Sequence, residues 1–70
     1  MPECPIKVEF LKDIQTAMGE LMSIHNNEVV ALLAEDFERV EQLKTMLQAT
    51  RERKAKLMED YREHVMGHQC

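Results

Sequence analysis

Tryptophan is absent, tyrosine occurs once, phenylalanine twice, and the 70 residues include only two Gly and two Pro. So few aromatics and turn-formers exclude a β-sandwich, a barrel or a collagen-like chain, which need them at short intervals. Net positive charge is also missing. Nine basic against thirteen acidic residues leave −4, the wrong sign for holding a polyphosphate by bulk electrostatics. Lys7, Glu9, Lys12 and Asp13 interrupt the first apolar segment, so no run approaches the ~20 residues of a membrane span, and the same charges break up a leader core. The length is too small for the multilayer core of most enzymes. A reducing cytoplasm is therefore the expected compartment, where Cys4 and Cys70 are thiols or metal ligands before they are a disulfide.

What the chain does have is a 44% hydrophobic share, evenly spread, which is too much for a disordered acidic tail. An all-α chain is what remains. From Pro5, a residue suited to a first helical turn, Leu11, Ile14, Met18, Leu21, His25 and Leu32 follow steps of three and four, with one step of seven over Glu28. That spacing predicts one helical stripe. A second stripe runs through Val40, Leu43, Leu47, Thr50, Lys54, Leu57, Tyr61 and His64, reaching His68 if the helix continues. Glu41 with Lys44, Glu52 with Lys56 and Glu59 with Arg62 are spaced as exposed ion pairs on its outer surface.

Between the two stripes, Ala34, Glu35 and Asp36 form the expected reversal, with Asp36 capping the helix that Phe37 begins. A rival break lies at residues 23–27, where His25, Asn26 and Asn27 are poor helix formers and Asn27 could cap a third helix. The unbroken reading gives a single antiparallel helical hairpin over residues 1–70: a helix about 5–34, a turn about 34–36 and a helix about 37–66. Facing residues then have numbers that sum to roughly 71, so Leu11 faces Tyr61, Ile14 faces Leu57, Leu21 faces Thr50 and Leu32 faces Val40. A hairpin has one seam and no second layer. Phe10, Met22, Val29, Leu33, Met46 and Met58 supply a surplus apolar face, which pairing into a homodimeric four-helix bundle would bury.

Candidate chemistry concentrates at the ends. His64 and His68, four apart, lie one turn from each other, Cys70 follows, and the register brings Cys4 to the same end of the hairpin. Cys4, His64, His68 and Cys70 would make a complete tetrahedral zinc set, closed and hence structural. Thiolate and imidazole suit zinc over calcium or magnesium. Against this stand frayed ends, with Gly67 stopping the helix before His68, and a disulfide between Cys4 and Cys70 in an oxidising compartment. Neither cysteine belongs to a CxxC pair.

At the ends, as elsewhere, the bland reading is preferred, frayed tails with no cofactor, and zinc is the alternative. His25 on the apolar stripe is expected to be a buried, hydrogen-bonded imidazole, and the six Met residues gap-fillers in a plain core. Arg51, Arg53, Lys54 and Lys56 wrap around the helix among acidic residues, with no aromatic to stack a base, so nucleic-acid binding is not expected. No Glu-x-x-His pair marks a di-iron bundle, since Tyr61 and Val65 occupy the places three before the histidines. Ser23 has no second His and acid nearby in sequence that would single it out as a nucleophile. No catalytic motif and no small-molecule substrate site is evident. The expectation is a non-enzymatic module that acts by associating with itself or another protein.

Residues 29–47, VVALLAEDFERVEQLKTML, resemble the short helical-hairpin UVR motif of bacterial excision-repair subunits, through the acidic-aromatic-acidic turn Glu35-Asp36-Phe37-Glu38 and a following Leu. The family's paired alanines and Arg-Asp are replaced by Val40-Glu41 and Lys44-Thr45. The resemblance covers under a third of the chain and implies protein–protein contact through the hairpin.

Overall fold

Residues 5–68 are described by a computed structural model, which contains two helices, α1 (Pro5–Leu33) and α2 (Phe37–His68), packed as an all-α antiparallel hairpin. α1 runs unbroken through residues 23–27, so the poor helix propensities of His25, Asn26 and Asn27 are overridden by packing on either side of them. Gly67 lies inside α2, which continues to His68. Neither helix is long and apolar enough to cross a membrane.

The reversal is a Schellman cap joined directly to an N-cap. The Asp36 N–H donates to the Ala31 carbonyl at 2.9 Å and the Glu35 N–H to the Leu32 carbonyl at 3.0 Å, the paired bonds that close a helix C-terminus. Glu35 holds the left-handed position, with φ 56°, where a glycine is usual. Asp36 then turns round and caps α2 as expected. Its Oδ1 accepts from the Arg39 N–H at 3.1 Å, and its carbonyl accepts the first helical bond from Val40. With no spare residue between the two caps, the helices are forced into an antiparallel hairpin.

The seam of α2 matches its expected stripe. Val40, Leu43 and Leu47 are buried, and Thr50, Lys54, Leu57, Tyr61 and His64 are partly buried. The seam of α1 differs from expectation. It runs through Phe10, Ile14, Ala17, Leu21, Ile24, Glu28 and Ala31, an unbroken alternation of four and three, with Ala17, Ile24 and Ala31 buried. Leu11, Met18 and Leu32 stay about half exposed, at 47%, 49% and 51%. The facing numbers still sum to about 71, but Phe10 takes the place expected of Leu11: its ring meets Tyr61 edge-on, with centroids 6.3 Å apart. Ala31, rather than Leu32, joins Val40 in the core, together with Ile24, Leu43 and Leu47.

His25 also departs from expectation. It is not buried: its side chain is 53% exposed, and Nδ1 lies 3.2 Å from the Glu28 carboxylate, which itself is 18% exposed. Rotating α1 so that alanines enter the seam leaves the imidazole in water beside the Glu28 carboxylate. The molecule measures 52 × 18 × 10 Å, a single layer two helices wide and one helix thick.

Candidate interaction surface

Because α1 buries the stripe that starts at Phe10, the stripe one residue later is left outside. Leu11, Gln15, Met18, Met22, His25, Val29 and Leu32 repeat the same four-three alternation, offset by about 100° around the helix. All seven are exposed, Met22 at 69% and Val29 at 56%. Leu33, at 82%, and Val30, at 63%, lie farther round. Between Leu21 and Leu33 the only charged side chain is Glu28. α1 is thus apolar over two adjoining faces, one facing α2 and one facing solvent.

The register adds α2 residues at both ends of this face. It sets exposed Phe37 beside Leu32 and exposed Met58 beside Leu11, on the flank that the two helices share. The middle of that flank carries Lys44 and Arg51, both exposed, so the apolar continuity belongs to α1.

The opposite flank is polar. The Arg53 guanidinium donates to the Glu20 carboxylate across the seam, an exposed pair that fixes register at little energetic gain. A shallow groove beside it is lined by Asp13, Thr16, Glu20, Arg53 and Leu57. Lys44 pairs with Glu41 at 3.3 Å, as its spacing suggested, and Glu52 accepts from Gln48 at 3.5 Å. Of the basic cluster, Arg53 is thus committed to Glu20 and Lys54 is half-buried in the seam.

At the open end, His64 is half-buried with its ring 5.9 Å from that of Phe10, tilted by 42°. The other three members of the expected zinc set, Cys4, Cys70 and the His68 side chain, lie outside the described residues. Among the described residues no group of three or more His, Cys, Asp or Glu is gathered as a metal would require.

Ile14 and Leu21 of the α1 seam were on the expected stripe, whereas its three buried members, Ala17, Ile24 and Ala31, were missed from sequence although a signal was present. Ile14, Ala17, Leu21, Ile24 and Ala31 keep strict three-four spacing through Glu28, but the two alanines count little on a hydrophobic scale beside Met18 and Leu32. No known family, curated protein or solved structure matches the chain, so the likeness of residues 29–47 to the UVR hairpin stands on those residues alone.

Proposed function

We propose that this chain is a non-enzymatic association module whose working unit is a pair of hairpins. The observation that carries the reading is the surplus of exposed apolar surface. The chain exposes 5630 Å², against about 4,500 Å² for a compact monomer of its mass. Five of the thirteen large apolar side chains exposed among the described residues are ordered into the second stripe on α1, when monomers rarely leave a contiguous apolar patch larger than a few hundred Å² uncovered. Six buried residues among the described ones, two of them alanines, make a thin core for two helices of 29 and 32 residues. Covering the second stripe would supply what one layer lacks. Sedimentation equilibrium of the full chain between about 1 and 100 μM tests this. The expected species has twice the 8.2 kDa chain mass, and a folded helical monomer across that range would overturn the reading.

A second reading is a zinc site joining the two ends through Cys4, His64, His68 and Cys70. It is favoured by the continuity of α2 past Gly67, which keeps His64 and His68 four residues apart in one helix. Metal bound only by the folded chain raises its melting temperature by mass action. Chelator should then lower the melting temperature, and Cys4→Ser or His64→Ala should remove that response. An unchanged melting curve in EDTA, with substoichiometric zinc in untagged protein, would exclude it.

A further inference from the structure

The geometry points to a specific mode of self-association, resting on the association reading above: two copies pack α1 against α1, antiparallel, through the second stripe. The exposed stripe sits about 100° around α1 from the seam with α2, close to the right angle between the two neighbours of a corner helix in a four-helix bundle. α1 is therefore shaped to touch α2 on one side and a second helix on the next, without moving within the hairpin.

The occupant follows from self-complementarity. A twofold interface must match its own patch. In antiparallel helices with a four-three repeat, residues from alternate positions face each other in layers. When facing numbers sum to about 40, Val8 meets the partner's Leu32, Leu11 meets the partner's Val29, and Met18 meets the partner's Met22. Gln15, the one amide in the stripe, meets the partner's His25, the one imidazole. Every apolar residue then faces an apolar one and the two polar residues face each other, where a hydrogen bond can satisfy both. One heptad away, with sums of about 47, Met22 would face the partner's His25 and Gln15 the partner's Leu32, leaving polar groups against apolar ones. A parallel pairing would set His25 on His25 and Gln15 on Gln15. The sequence of the stripe thus matches its own reverse in one register. The axis passes near residue 20, beside Gly19, where an added Cβ would meet nothing in the hairpin and the backbone is bare for close approach.

The area is sufficient. Covering the exposed portions of these side chains removes on the order of 600 Å² per copy, or ~1,200 Å² for the pair, the lower edge of the range for specific stable interfaces. No charged side chain lies in the seven-residue stripe, so no ion has to be desolvated to close it.

The test uses the full-length chain with Cys4→Ser and Cys70→Ser as a cysteine-free background. Leu11→Cys protein mixed with Val29→Cys protein should oxidise mainly to the mixed disulfide dimer, while each variant alone stays largely uncrosslinked. Met22→Glu, at a position 69% exposed in the hairpin, should raise the dimer Kd ~100-fold or more, because the change enters the interface twice. Self-crosslinking of each single variant would overturn the antiparallel register. A dimer that survives Met22→Glu unchanged and yields no 11–29 crosslink would overturn the choice of face, while the association reading stands. A background protein that is a helical monomer at 100 μM would overturn both.

Discussion

The two helices differ in charge and in the number of faces they bury. α2 carries thirteen charged residues in 32, and all but Lys54 lie outside its seam. α1 carries six in 29, four of them within residues 7–13, and has two apolar faces side by side. One consequence is for inference. A helix with a single apolar stripe announces its orientation, whereas a helix with two overlapping stripes announces only that it is buried more than once. The stripe expected for α1, through Leu11, Ile14, Met18, Leu21, His25 and Leu32, is the middle of that wide apolar arc. It takes Ile14 and Leu21 from the seam and the rest from the exposed face. The other consequence is for function: α2 stabilises the hairpin, and α1 both stabilises it and offers a surface.

The comparison can be broken most forcefully in the seam. Leu43, 1% exposed, is the largest fully buried side chain among the described residues. Leu43→Ala is expected to cost about 2–5 kcal/mol, enough to unfold a domain of this size, whereas Leu33→Ala on the outer side of α1, 82% exposed, should leave the hairpin's urea midpoint nearly unchanged. Both are measured at one protein concentration, since association adds to apparent stability. Equal losses would mean that Leu33 is covered in solution.

The junction between the helices comes next. Removing the cap by Asp36→Ala should cost about 1 kcal/mol, because the Arg39 N–H would lose its acceptor. Glu35→Gly should act in the opposite sense, by up to about 1 kcal/mol, since Glu35 carries a Cβ in the left-handed region. A destabilising Glu35→Gly would show that its side chain does something the turn itself does not need. Both shifts are read from denaturant midpoints.

Gly19→Ala sharpens the contrast inside α1. The new Cβ meets nothing within 4 Å in the hairpin, so helicity and stability of the monomeric unit should rise by up to about 1 kcal/mol. The smallest effect belongs to the bridge between the helices: a double-mutant cycle on Glu20→Gln and Arg53→Gln should return well under 1 kcal/mol, because both side chains are about half exposed, and the coupling should vanish in 1 M salt.

Local chemistry accounts for most of what was readable along the chain. Helical periodicity, Pro5 at the start, the Ala34-Glu35-Asp36 reversal and the α2 stripe from Val40 to His64 all depend on residues within one or two turns of each other, and the structure has them where the sequence put them. The Glu41–Lys44 pair and the facing numbers of about 71 follow from the same local rules once the turn is known. The expected zinc ligands were legible as residue types, but a ligand set from two chain ends is not a local property. Only the His64 side chain of that set is described, held against Phe10.

The rotation of α1 about its own axis is the quantity that only packing decides. Residues 10–32 contain two four-three repeats one residue apart, and intrinsic propensity is indifferent between them. The choice is made across the seam, where α2 offers the bulky stripe Val40, Leu43 and Leu47 and is best approached by a face that includes Ala17 and Ala31 beside Ile24. That choice keeps His25 in water beside Glu28 and leaves Met18, Met22 and Val29 uncovered. Composition could announce that α1 has more apolar surface than one neighbour can cover. Which part is left over depends on shape matching between side chains more than ten residues apart, information that no single stretch of the chain contains.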